Sequence, residues 1–286
     1  RYGVAPEQIT LGNGSNDILE LVARAFLAPG LNAVFSAHAF AVYPIATQAA
    51  GAQGKVVPAR DWGHDLDAML AAIDAQTRVI FLANPNNPTG TWFDAEAMER
   101  FLAQVPEQVL VVLDEAYIEY AEGGELPDGL AYLAQYPNLL VSRTFSKAYG
   151  LAALRVGYAI SSPRIADVLN RVRQPFNVNS LALAAACAAL EDEDYLRASR
   201  EANTAGMRQL EAGFRALGLS WIPSRGNFIA VDFARDAAPV NQALLHEGVI
   251  VRPVAGYGMP TFLRVSIGTE AENARLLDAL QQVLAR

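Results

Sequence analysis

Residues 79–82, 109–113, 139–141 and 156–160 are apolar at every position, and they are interspersed with segments of helical period. This pattern constrains the fold more than any other feature of the chain. A sheet with one wet face alternates apolar and polar residues, whereas a strand that is apolar throughout must be covered on both faces. Helices on either side of a mostly parallel sheet provide that cover, so the expected class is α/β. In the helical segments, Ile18, Leu19, Leu21, Val22, Ala25 and Phe26 share one broad face before Pro29-Gly30 ends the run. Leu66, Met69, Leu70 and Ile73 likewise recur at helical spacing. Beyond about residue 190 the texture changes. Residues 191–217 read as a long charged helix, and 227–231, 249–251 and 262–267 as strands. The expected division is a large domain over 1–200 and a smaller α+β C-terminal domain over 201–286, with the hinge in the long helix.

The balance of 22 basic against 30 acidic residues, a net charge of −8, argues against nucleic acid or an acidic membrane surface as partner. A small soluble substrate fits, provided that local arginines receive any anionic group. No run approaches the roughly 18 apolar residues of a membrane span, and no signal peptide is visible. The lone Cys187, inside Leu-Ala-Leu-Ala-Ala-Ala-Cys-Ala-Ala-Leu, reads as a small buried apolar residue with no internal disulfide partner. These features predict a cytoplasmic protein. His38, His64 and His246 are too dispersed for a metal site, and none is expected.

In open α/β sheets ligands bind beyond the carboxyl ends of the strands. Four polar clusters fall there: Gly-Asn-Gly-Ser-Asn at 12–16, Asn-Pro-Asn-Asn-Pro-Thr-Gly at 84–90, Asp-Glu-Ala-Tyr at 114–117, and Ser-Arg-Thr-Phe-Ser-Lys at 142–147. Each alone is weak; on one edge of one sheet they describe a site. Lysine usage singles out one residue. Only Lys55 and Lys147 are lysines, every other cation being arginine. Lys55, in Gly-Lys-Val-Val, reads as an exposed strand start. Lys147 closes the fourth cluster, and an amine of tunable pKa can form a Schiff base where a guanidinium cannot. Asp114, at the end of an apolar strand, needs a cation or donor. A protonated pyridine nitrogen would suit it, and so would the N-terminus of a following helix.

In order and spacing, Asn-Pro-Asn-Asn-Pro-Thr-Gly, Asp-Glu-Ala-Tyr and Ser-Lys followed eight residues later by Arg155 resemble the fold-type I pyridoxal-phosphate (PLP)-dependent aminotransferases. Gly-Asn-Gly-Ser-Asn-Asp, Asp-Glu-Ala-Tyr-Ile-Glu-Tyr, Arg-Thr-Phe-Ser-Lys-Ala-Tyr-Gly-Leu-Ala and Leu-Arg-Val-Ser-Ile-Gly are similar to the histidinol-phosphate aminotransferase family. The resemblance runs from about residue 2 to the C-terminus. It implies the PLP-dependent transferase fold type I, with a mostly parallel sheet in the large domain, and it implies that the family's N-terminal arm is absent here.

The resemblance also implies roles. Lys147 would hold the cofactor and move the substrate proton, Asp114 would pair with the pyridine nitrogen, and Tyr117 and Asn87 would bond the phenolic oxygen. Ser15, Asn16, Ser146 and Arg155 would hold the phosphate, although Ser15 could simply cap its helix. Phe40 would stack on the ring, while Tyr43 reads as packing or a dimer contact. Arg252, Arg264 and Asn227 would face the substrate. The implied reaction converts histidinol phosphate and 2-oxoglutarate to imidazole-acetol phosphate and glutamate, in histidine biosynthesis, by a homodimer. An aromatic amino-acid aminotransferase and a PLP-dependent decarboxylase of a phosphorylated amino acid are the alternatives.

Overall fold

The larger sheet contains β1 (Ile9–Gly12), β2 (Asn32–Ser36), β3 (Gln53–Val57), β4 (Thr77–Ala83), β5 (Leu110–Asp114), β6 (Leu139–Thr144) and β7 (Gly157–Ser161). They lie in the order β1-β7-β6-β5-β4-β2-β3 in the computed structural model, which describes residues 2–121 and 126–285. Arg1 and Arg286, the outer limits of the expected domains, lie outside the described residues. Strands β3, β2, β4, β5 and β6 pair in parallel.

The apolar runs are explained by what covers them. Side chains alternate between the faces of a strand. Accordingly, Val79 and Phe81 join one core with Leu19, Val22 and Tyr43, while Ile80 and Leu82 join another with Met69, Met98 and Phe101. The first core contains α1 (Ser15–Phe26) and α2 (Val42–Ala49), the second α3 (Leu66–Ala71) and α4 (Ala95–Leu102). Each large side chain so buried contributes about 1.5–3 kcal/mol, an upper estimate because unfolded chains already hide some apolar surface. The expectation that 156–160 is a parallel strand is corrected: β7 runs antiparallel to both β6 and β1. Burial on two faces determines composition, not direction.

The remaining helices are α5 (Pro163–Val172), α6 (Ser180–Glu191), α7 (Glu193–Ala216), α8 (Ala238–His246) and α9 (Glu270–Leu284). A second, antiparallel sheet contains β8 (Ser220–Ile222), β9 (Phe228–Asp232), β10 (Arg252–Pro253) and β11 (Phe262–Ser266) in the order β10-β11-β9-β8. Residues 249–251 are not a strand; pairing begins at Arg252, opposite Arg264. Helix α7 joins two further cores. Leu196 near its start packs with Phe145 and Tyr149, whereas Leu210 and Phe214 near its end pack with Ile229 and Val231.

Two further expectations are corrected. Cys187 is exposed, because α6 buries only Ala182 and Ala186 despite its apolar composition. Lys55 sits in the middle of β3, not at its start, and its Nζ donates to Asp74 at 2.5 Å and to the Ala72 carbonyl at 3.0 Å.

Candidate active site

Register brings the polar clusters to one edge. Ala83 lies beside Asp114 and Asp114 beside Ser142, so β4 and β5 end level with one another and β6 runs two residues further, to Thr144. Gly12 lies beside Gly157, and Gly157 beside Thr144, which brings the start of α1 to the same edge. Gly14, at φ 81°, is the residue that caps α1, so capping is not the role of Ser15. The Gly14 conformation suits glycine, and a Cβ there would collide with the Arg155 guanidinium. Arg155 is itself left-handed, at φ 57°. Its Nη1 donates to the Ala152 carbonyl at 2.9 Å and to Ser146 Oγ at 3.5 Å. Among the described residues no carboxylate lies within ion-pair distance of it. A helix N-terminus, a hydroxyl and an available guanidinium together make a cradle for a phosphate.

Asp114 is 5% exposed, and burial pushes its carboxyl up to about 6 against the stabilising pull of Tyr43, Lys147 and the Ala116 N–H. The Tyr43 hydroxyl donates to Asp114 Oδ2 at 3.0 Å, while Oδ1 is buried with no hydrogen-bond partner. Tyr43 is therefore more than packing, although its ring does stack on Phe81 at 4.9 Å and meets Phe40 edge-on at 5.9 Å. Lys147 Nζ lies 5.5 Å from the centre of the Tyr117 ring. Burial, then the charges of Arg264 and Arg155, lower its pKa, and Asp114 partly restores it. Burial raises Tyr117, keeping its hydroxyl a neutral donor.

Arg264 Nη1 donates to Asn87 Oδ1, which leaves the Asn87 amide hydrogens for another acceptor. Arg264 Nε is buried without a partner, and the guanidinium carbon lies 5.0 Å over the Phe228 ring. Arg252 is exposed, directly across the β10–β11 pair from Arg264. Asn227 hydrogen-bonds the Tyr120 hydroxyl.

A cavity of about 140 Å³ unites most of these groups. Ser15, Asn16, Phe40, Asn87, Asp114, Tyr117, Ser146, Lys147 and Arg155 all line it. Arg252, Arg264 and Asn227 do not, although Arg264 reaches its wall through Asn87. A model of the family Aminotransferase class I and II matches residues 2–280. The chain belongs to the class I and II aminotransferases.

This aminotransferase is 80% identical to histidinol-phosphate aminotransferase 2 of Pseudomonas aeruginosa, over 100% of the chain and 77% of that protein. It is 79% identical to histidinol-phosphate aminotransferase 2 of Pseudomonas fluorescens, over 98% of the chain and 75% of that protein. A solved histidinol-phosphate aminotransferase from Sinorhizobium meliloti, in complex with pyridoxal-5'-phosphate, is 34% identical and superposes with a TM-score of 0.93. That match covers 99% of this chain and 78% of the other.

The sequence did not single out two further residues of the aminotransferase, one in the cavity wall and one next to it in the chain. Thr144, the last residue of β6, lines the cavity, and its Oγ1 accepts from the Ser146 N–H at 3.1 Å. Its polar side chain at the end of an apolar strand was the available signal. Glu115, next in the chain to Asp114, is fully buried and accepts from Arg143 Nε at 2.8 Å and from the Gly129 N–H at 2.7 Å. Removing one member of a buried ion pair strands the other, so Glu115→Ala should destabilise the fold by about 3–5 kcal/mol. Among the described residues, Arg143 would keep only the exposed Asp128 as ion-pair partner. Urea denaturation checks this; an unchanged midpoint would mean that water or Asp128 fully replaces Glu115.

Proposed function

We propose that this aminotransferase converts histidinol phosphate and 2-oxoglutarate to imidazole-acetol phosphate and glutamate, with PLP in the cavity beside Lys147. The observation that carries the reading is that Lys147, Asp114 and the Arg155 cradle line one cavity. They present an amine, an unpartnered carboxylate oxygen and a phosphate site to the same space. The substrate assignment rests on the relatives that are 79–80% identical over nearly the whole chain.

PLP supplies an electron sink that allows a proton to leave the substrate's Cα. In this reading Lys147 Nζ takes that proton and returns it, Asp114 Oδ1 holds the ring nitrogen, and Tyr117 and the Asn87 amide bond the phenolic oxygen. Phe40 packs on the ring. Ser15, Asn16, Ser146 and Arg155 hold the phosphate, and Thr144 fixes the turn that carries Ser146 and Lys147. On the substrate side stand Arg264, Arg252 and Asn227. Two arginines opposite each other on neighbouring strands repel unless an anion lies between them. The substrate phosphate would be that anion, and would give the orphaned Arg264 Nε an acceptor.

The reading includes the division into 1–200 and 201–286, supported by the split packing of α7. It also includes a homodimer in the cytoplasm. The apolar surface of α6 and the turn before it supports the dimer, with Leu181 76% and Phe176 97% exposed.

Arg264→Lys keeps the charge but loses the forked donor. It should lower kcat/KM for histidinol phosphate roughly tenfold more than for glutamate, the scale of one charge-assisted hydrogen bond. Specificity constants for histidinol phosphate, glutamate, phenylalanine and tyrosine check it. Equal losses across the donors would leave only a general anion clamp. Efficient turnover of phenylalanine and tyrosine with poor use of histidinol phosphate would favour the aromatic alternative.

A further inference from the structure

The carboxylate at the end of β5 has two oxygens in different circumstances. Oδ2 accepts from the Tyr43 hydroxyl at 3.0 Å, and Oδ1 is buried with no partner. Tyr43 is completely buried, with its ring stacked on Phe81 at an interplanar angle of 5°. Thr47 Oγ1 donates to the Tyr43 backbone carbonyl at 2.7 Å, tying down the same turn of α2. The hydroxyl thus has little freedom to leave Asp114.

We propose that Tyr43 is a positioning residue for the cofactor: by occupying Oδ2 it fixes the Asp114 carboxylate, leaves Oδ1 as the acceptor for the ring nitrogen, and keeps the carboxyl ionised. This rests on the reading above, in which Asp114 faces that nitrogen. A hydrogen bond donated to a carboxylate stabilises its charged form, and burial works against that form. Burial and the neighbouring Asp114 raise Tyr43 well above the ordinary range, so the hydroxyl stays neutral and remains a donor at any working pH. Among the described residues three titratable groups face Asp114: Tyr43 from α2, Lys147 from the turn after β6, and Tyr117 from its own turn. Arg264 and Arg155 act on Lys147. Of these, Tyr43 alone bonds the carboxylate through its side chain.

Without the hydroxyl, Asp114 becomes the stronger base. The proton between carboxylate and pyridine nitrogen then moves toward the carboxylate, and the ring loses the charge that makes it a good electron sink. The step is a proton shift within one pair, with no bond to carbon formed or broken.

Tyr43→Phe tests this, since it deletes one oxygen and retains the ring that stacks on Phe81. In the apo-protein with 13C-labelled aspartate, the Asp114 carboxyl should titrate near 6 in the native chain. In the variant it should titrate at least about one pH unit higher, the scale of one hydrogen bond to a charged group. In holoenzyme loaded with 15N-labelled PLP, the pyridine nitrogen signal should move toward the unprotonated position. Turnover should fall about tenfold with little change in KM. In an Asp114→Asn background, Tyr43→Phe should add nothing further to the nitrogen shift, as expected for a residue that acts through its neighbour. Unchanged carboxyl titration and nitrogen signal in Tyr43→Phe, with the nitrogen displaced in Asp114→Asn, would overturn the role of Tyr43 while the reading of Asp114 stands. A nitrogen signal unmoved by Asp114→Asn would overturn that reading and this inference with it.

Discussion

Lys147→Ala should give a protein that still binds PLP but transaminates at least about ten-thousandfold more slowly, the upper range for losing one proton-transferring group. Binding survives because the cradle of Arg155, Ser146 and the α1 N-terminus does not depend on the amine, and neither does Asp114 Oδ1. Turnover is lost because no other lysine is in reach. Lys55 is the only other lysine, and it is tied to Asp74 and the Ala72 carbonyl. The environment of Lys147 prepares it for the task. Burial and the two arginines lower its pKa, so a larger share of the amine is neutral and nucleophilic near pH 7. Borohydride reduction of the native holoenzyme followed by peptide mapping should place the cofactor on the peptide containing Ser146 and Lys147. Label on Lys55, or activity retained in Lys147→Ala, would remove the central residue from the proposed function.

The legible parts of this molecule were those set by short stretches of sequence. Apolar runs gave the central strands because burial on both faces tolerates nothing else, and polar clusters at their ends marked the sheet edge where Asp114 and Lys147 meet. Lysine scarcity then singled out Lys147. What escaped depended on distant partners. The Tyr43–Asp114 bond joins residues 71 positions apart, and its existence turns on the rotation of α2, which sequence period does not determine to within one side chain. Cys187 was misjudged because an apolar helix does not announce which of its faces is covered; α6 buries two alanines and leaves Leu181 and Leu183 outward. Strand β10 was displaced from 249–251 because its two residues are defined by pairing with β11 rather than by their own character. Arg252 and Asn227 were legible as residue types near a site, but their distance from the cavity wall depends on how the smaller sheet is set.

Asp114→Asn should reduce turnover by roughly a hundredfold or more, the scale expected when a preorganised charge is removed. The substitution keeps the shape, and an amide oxygen can still accept from the Tyr43 hydroxyl. What disappears is the negative charge beside the ring nitrogen. Burial pushes the native carboxyl up to about 6 even with Tyr43 and Lys147 beside it, so ionisation near neutral pH does not wait for the pyridinium. A pyridinium partner stabilises it further. The effect on stability should run the other way. An unpartnered carboxylate oxygen is costly to bury, so the neutral variant should unfold at the same or a higher urea concentration. A second consequence falls on Lys147. Asp114 is the charge that raises its pKa, so removing it should lower the amine further. Amine-selective labelling of the apo-protein should then modify Lys147 faster in the variant than in the native chain at the same pH. Loss of turnover with retained stability and faster labelling is the combined result expected. Near-native turnover at saturating PLP would mean that another group holds the ring nitrogen. A large loss of stability would mean that the carboxylate serves the fold before it serves the cofactor.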